Sequence, residues 1–130
     1  RESLESVLER AGHDALAPTC WIWEGVVMYL TQAAFHSTLA AIAGRSASGS
    51  ILIVNYHTAH RGFVGRLLLR LMGEPQISSR TPEEMAADMQ AVGFIVRDDS
   101  SMTDWNERFA SGMAKVARGY YMRVVVAEIP

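Results

Sequence analysis

The sequence has a single cysteine, Cys20. It can form no internal disulfide, and so sparse a use of thiols fits a reducing compartment, which points to the cytoplasm. Excess charge of either sign is also missing. Twelve Lys and Arg stand against 14 Asp and Glu, a formal net charge of −2. That leaves no electrostatic basis for a nucleic acid or an anionic membrane surface as partner. No apolar run reaches the length needed to cross a bilayer, because Glu24 interrupts the longest one. A glycine-rich dinucleotide fingerprint is missing too. Gly44 and Gly49 flank a polar loop, but their spacing is wrong and the loop precedes a strand pattern instead of following one. No internal repeat or low-complexity segment is visible.

The 130 residues that are there suffice for one domain with its own core, and 49% hydrophobic with 20% charged residues is an ordinary globular composition. Leu4, Val7, Leu8 and Ala11 recur at helical spacing, with Gly12 placed to end that helix. Next comes the stretch from Cys20 to Thr31, apolar on both sides of Glu24-Gly25 and expected to be buried. Residues 20–24 read as a strand, with Trp21 and Trp23 on one face for core packing or, as the alternative, for stacking on a flat ligand. Glu24 is either a solvated carboxylate at a sheet edge or a group closing a central strand, where open α/β sheets bind ligands. Thr31 caps a helix over 32–43 whose buried face is Phe35, Leu39, Ile42 and Ala43, with His36 on the solvated side.

Ser50 to Tyr56 is a near-continuous β-rich run, the pattern of a strand buried on both faces. It delivers Asn55, Tyr56 and His57 at its carboxyl end, either to cap the next helix or to line a pocket. Residues 59–72 read as a helix with Phe63, Leu67, Leu68 and Leu71 inward and Arg61, Arg66 and Arg70 on a solvated face. Thr81-Pro82-Glu83-Glu84 is a capping box with proline at the first helical position, and Met85, Met89 and Val92 supply the apolar face. A third strand follows at Phe94 to Arg97, ending in Asp98 and Asp99, which read as a solvated strand end and not as a metal site. Trp105, Phe109 and Met113 have helical spacing that Gly112 and Gly119 interrupt, and Tyr121 to Ile129 is the last strand.

This alternation is an α/β pattern with parallel crossovers. Pro18-Thr19, Trp23-Glu24-Gly25-Val26 and Met28-Tyr29-Leu30 resemble the fourth-strand motif of the leucine carboxyl methyltransferase-like family, class I S-adenosylmethionine-dependent enzymes. The resemblance implies the C-terminal half of a Rossmann-like class I methyltransferase fold. Its mixed sheet would have the spatial order 20–24, 50–56, 121–129, 94–99, with the last strand antiparallel. It also implies S-adenosylmethionine as cofactor, with Glu24 and Gly25 at the cofactor and Tyr29 near the transfer site. Asn55, Tyr56 and His57 join Tyr29 as candidate catalytic residues. The expected reaction is O-methylation of a carboxylate on a small molecule or peptide, with no metal.

The family's glycine-rich loop and ribose-binding acid are not in this sequence. Residues 1–130 are therefore expected to be a single partial domain whose amino-terminal, cofactor-binding half lies elsewhere. Alone, such a chain is expected to form a homo-oligomer through its uncovered edge. The competing expectation is a non-catalytic α/β binding or dimerisation module.

Overall fold

The computed structural model describes residues 2–58, 71, 73, 77–110, 112 and 121–130. Its elements run α1 (Leu4–Arg10), β1 (Cys20–Trp23), a 3-10 turn (Val27–Tyr29), α2 (Gln32–Gly44), β2 (Ile51–His57), α3 (Pro82–Ala91), β3 (Ile95–Ser101), α4 (Met102–Phe109) and β4 (Met122–Glu128). The helix expected over 59–72 lies outside the described residues except for Leu71, which is exposed, not inward as expected. Met113 lies outside them as well.

The four strands form one sheet in the order β1-β2-β4-β3. β1 pairs with β2 in parallel, with Cys20 opposite Ile51 and Trp23 opposite Val54. β4 enters between β2 and β3 and is antiparallel to both. This is the order and direction expected for the carboxyl-terminal half of a class I methyltransferase sheet.

Local chemistry sets the helix starts. Thr31 accepts a hydrogen bond from the Ala34 N–H, and Thr81 and Glu84 form the reciprocal capping box. The core lies on one face of the sheet. Leu52, Val54 and Tyr56 of β2 and Val125 and Ala127 of β4 pack there against Phe35, Leu39 and Ile42 of α2 and Met85 and Met89 of α3.

Three burial expectations are corrected. β2 is not buried on both faces: its residues alternate, with Ile51 exposed and Ile53, Asn55 and His57 only partly covered, because the helices α2 and α3 pack on the opposite face. The Cys20–Thr31 stretch is mostly open. Among the described residues β1 has a strand neighbour on one side only, and Ile22 is 71% exposed. The apolar face of α1 also stays largely uncovered, with Leu4 and Val7 exposed.

β3 runs on past Arg97 to Ser101, so Asp98 and Asp99 lie inside a strand and not at a solvated end. Its pairing with β4 shifts between Val96 and Asp98. One extra residue there exchanges the two faces of everything that follows.

Candidate functional site

The carboxyl end of β1 is built as a turn. Gly25 has φ +73, a left-handed backbone that side-chain-bearing residues avoid. Its N–H donates to Asn55 Oδ1 at 2.7 Å, and Asn55 Nδ2 lies 3.3 Å from Met122 Sδ. Asn55 thus ties together the ends of β1, β2 and β4. Glu24, immediately before Gly25, is exposed and has no hydrogen-bond or ion-pair partner among the described residues. Beside it opens a cleft of about 350 Å³ bordered by Glu24, Asn55, Ile22, Met102 and Trp105. The site stands at the carboxyl ends of the parallel pair, where open α/β sheets place ligands.

The other expected site residues are separated. By strand alternation His57 shares the face of Asn55, and its carbonyl accepts the Arg80 N–H at 2.9 Å. Tyr29, 40% exposed in the 3-10 turn, is not among the residues that border the cleft. Tyr56 points to the helix-covered face. Its hydroxyl donates to Asp99 Oδ2 at 2.6 Å, and Arg123 Nε donates to Asp99 Oδ1 at 2.8 Å. Arg123 also donates to the Asp99 carbonyl at 2.7 Å. Sequence reasoning missed this group of three. A phenol, a carboxylate and a guanidinium from three strands meet only because the bulge turns Asp99, and not Asp98, toward the core side.

Burial and the hydrogen bond to the Asp99 carboxylate push the Tyr56 phenol above its ordinary range. A group whose folded value is raised contributes stability below its unfolded value, near about 10 for tyrosine, and that stability is lost as pH rises further. Tyr56→Phe is therefore expected to cost about 1–3 kcal/mol at neutral pH and to flatten the decline above about pH 10. Urea denaturation across that range measures both, and identical pH slopes for mutant and parent would count against it.

Trp21 and Trp23 pack against the core. Trp21 Nε1 donates to Ser46 Oγ at 2.8 Å, and the Trp23 ring stacks on Phe35 with centroids 5.3 Å apart. His36 is exposed as expected, yet its Nε2 lies 3.0 Å from Asp88 Oδ1, and Asp88 also pairs with the buried Arg80. No cluster of three His, Cys, Asp or Glu suited to a metal exists among the described residues. The open cleft can place a ligand and shield part of it from water. The Glu24 carboxylate, without a partner among the described residues, can pair with a cation.

Residues 1–43 match the family model described as leucine carboxyl methyltransferase. A Streptomyces coelicolor protein named an S-adenosyl-L-methionine-dependent methyltransferase is 52% identical over 50 residues, 38% of this chain and 18% of that protein. Over its first third the chain is similar to the leucine carboxyl methyltransferase family. The family match contains Glu24, Gly25 and Tyr29, whereas Asn55, Tyr56 and His57 lie beyond it. In fold alone, the chain is similar to solved structures over almost all of its length. A DUF574 family protein from Streptomyces avermitilis superposes with a TM-score of 0.75 at 17% identity, covering 96% of this chain and 51% of that one. A Thermobifida fusca protein described as a putative methyltransferase gives 0.66 at 16% identity, covering 96% and 50%. The chain thus spans about half of these solved proteins and a smaller part of the curated relative.

Proposed function

We propose that this protein takes part in methyl transfer from S-adenosylmethionine to an oxygen of a small molecule. One observation carries the reading: a Glu24 carboxylate with no partner among the described residues is held by the Gly25–Asn55 hydrogen bond at the carboxyl end of β1, at the border of a ligand-sized cleft. The donor set fits the cofactor, which presents a sulfonium and an ammonium to any carboxylate near it. When bound, S-adenosylmethionine supplies an electrophilic methyl group. The chain's own residues bind and align. Glu24 pairs with positive charge, and Asn55 and Gly25 hold Glu24 in place. Such chemistry asks for alignment and exclusion of water, with no covalent intermediate.

In the same reading this chain is the carboxyl-terminal part of the catalytic domain, and the cofactor's glycine-rich cradle comes from a further stretch. β1 is open on one side among the described residues, ready for a parallel strand from that stretch or from a second copy. A carboxylate acceptor is the finer proposal, supported by the family match over residues 1–43. Base-labile label in the product of a reaction with radiolabelled cofactor would mark it as a methyl ester. No helix among the described residues is long and apolar enough to cross a membrane, and the cytoplasm is the proposed location.

The principal test is Glu24→Ala in the intact protein. Cofactor affinity is expected to weaken by about 1–3 kcal/mol, the loss of a charge-assisted hydrogen bond, with folding unchanged because Glu24 is exposed. Equal cofactor affinity of mutant and parent in calorimetry would refute the assignment.

A further inference from the structure

Beyond its polar end at Glu24 and Asn55, the cleft is apolar. Ile22, Met122 and Val124 form its floor, and Met102 and Trp105 of α4 form a wall. Met102, Trp105 and Phe109 lie at i, i+3 and i+7, one face of α4. The Trp105 ring is braced edge-to-face by Phe109 with centroids 5.7 Å apart. The helix itself is anchored at its start, where Ser101 and Asp104 exchange capping hydrogen bonds. Arg108 reaches back to Asp98 at 3.5 Å. Trp105 is therefore a braced, flat apolar surface facing the site, although it is partly exposed and contributes nothing to the core cluster.

We infer that this cleft is the acceptor subsite and takes the flat, apolar body of a small molecule, with Trp105 as the residue that selects for flatness. The inference rests on the methyl-transfer reading and narrows its substrate class. The cleft, of about 350 Å³, has the size of a small-molecule site, at the low end of that range. Charge points the same way. Glu24 is the one ionisable side chain bordering the cleft among the described residues, so a highly charged ligand finds no set of partners there. Position completes the case, because the apolar floor continues directly from the two residues assigned to the cofactor end.

The test is calorimetric binding of 2-naphthol to the intact protein in the absence of cofactor, so that failure of cofactor binding does not decide it. Saturable binding is expected. Trp105→Ala should weaken it about tenfold, the effect of losing one aromatic contact and its buried area. Ile22→Asp, which puts a charge on the cleft floor, should weaken it similarly, with circular dichroism checking that the variant folds. Trp21→Phe, on the opposite face, should leave it unchanged. Absence of saturable binding, or binding that ignores both cleft variants, overturns the inference. Tighter binding of an apolar peptide than of 2-naphthol, abolished by Trp105→Ala, overturns it equally. Naphthol binding that behaves as expected alongside a protein that binds no S-adenosylmethionine would keep the subsite and remove the methyl-transfer reading.

Discussion

Asp99→Ala is expected to destabilise the fold by about 3–5 kcal/mol, the range for removing one partner of a buried ion pair. The side chains of Asp99 and Arg123 are 15% and 23% exposed, so the pair is largely out of water. Asp99 accepts from Arg123 Nε and from the Tyr56 hydroxyl on its two carboxylate oxygens. Without it, the Arg123 guanidinium keeps its charge but loses its counter-ion, and the Tyr56 hydroxyl is left without that acceptor inside the core. Neither side chain can escape easily. Tyr56 belongs to the core of β2, and Arg123 is fixed opposite it in the β2–β4 register. Asp99→Asn should recover part of the loss, because it keeps an acceptor for the tyrosine without the charge. Urea denaturation followed by far-ultraviolet circular dichroism gives the comparison. A loss below about 1 kcal/mol would show that the pair behaves as a solvated surface contact.

Phe35→Ala carries the other large effect, about 3–5 kcal/mol, the range for truncating a buried aromatic ring. Phe35 is 1% exposed and joins three layers. Its ring stacks on Trp23 from β1, and the guanidinium of the buried Arg80 sits 3.7 Å from its centroid. The mutation therefore opens a cavity and also removes the aromatic face on which a buried cation rests. Arg80 would keep its ion pair with Asp88 but lose that cover. The expected loss lies in the upper part of the range, and Trp23 fluorescence should shift as water reaches the gap. Phe35→Leu fills most of the space without restoring the ring and should fall between parent and alanine variant. Equal stability of the leucine variant and the parent would show that the cation–ring contact contributes nothing.

These two mutations act on parts of the molecule that were very unequally legible beforehand. Phe35 announced itself through helical spacing behind the Thr31 cap. So did α3, through its capping box and the pair Met85 and Met89. Signals of this kind are short-range: a cap, a first-turn proline and an apolar period are complete within a few residues. The placement of β4 between β2 and β3 came from the family resemblance, which carries topology that periodicity cannot. Trp105 and Phe109 were seen at the right spacing. Their third partner on the cleft face is Met102, one turn before Trp105, so the helix begins earlier than the pattern suggested.

What the sequence by itself determined, among the described residues, is the strands β1 to β4, the helices α1 to α3 and the Thr31 and Thr81 caps, including the lone carboxylate at Glu24 and the apolar faces of α2 and α3. Those depend on neighbours along the chain. Only the tertiary structure decided which way the strand ends face. Asn55 and Tyr56 are adjacent in sequence, yet one holds the turn at Gly25 and the other is buried against Asp99. One extra residue near Arg97 decides that Asp99, and not Asp98, meets Arg123. The exposure of Ile22 and Glu24 follows from where β1 lies in the sheet, which no local pattern encodes. A strand's side chains alternate with a period of two, so pairing register and a single bulge reassign whole faces at once. Those choices are made by partners tens of residues away, and the cleft beside Trp105 exists only once they have been made.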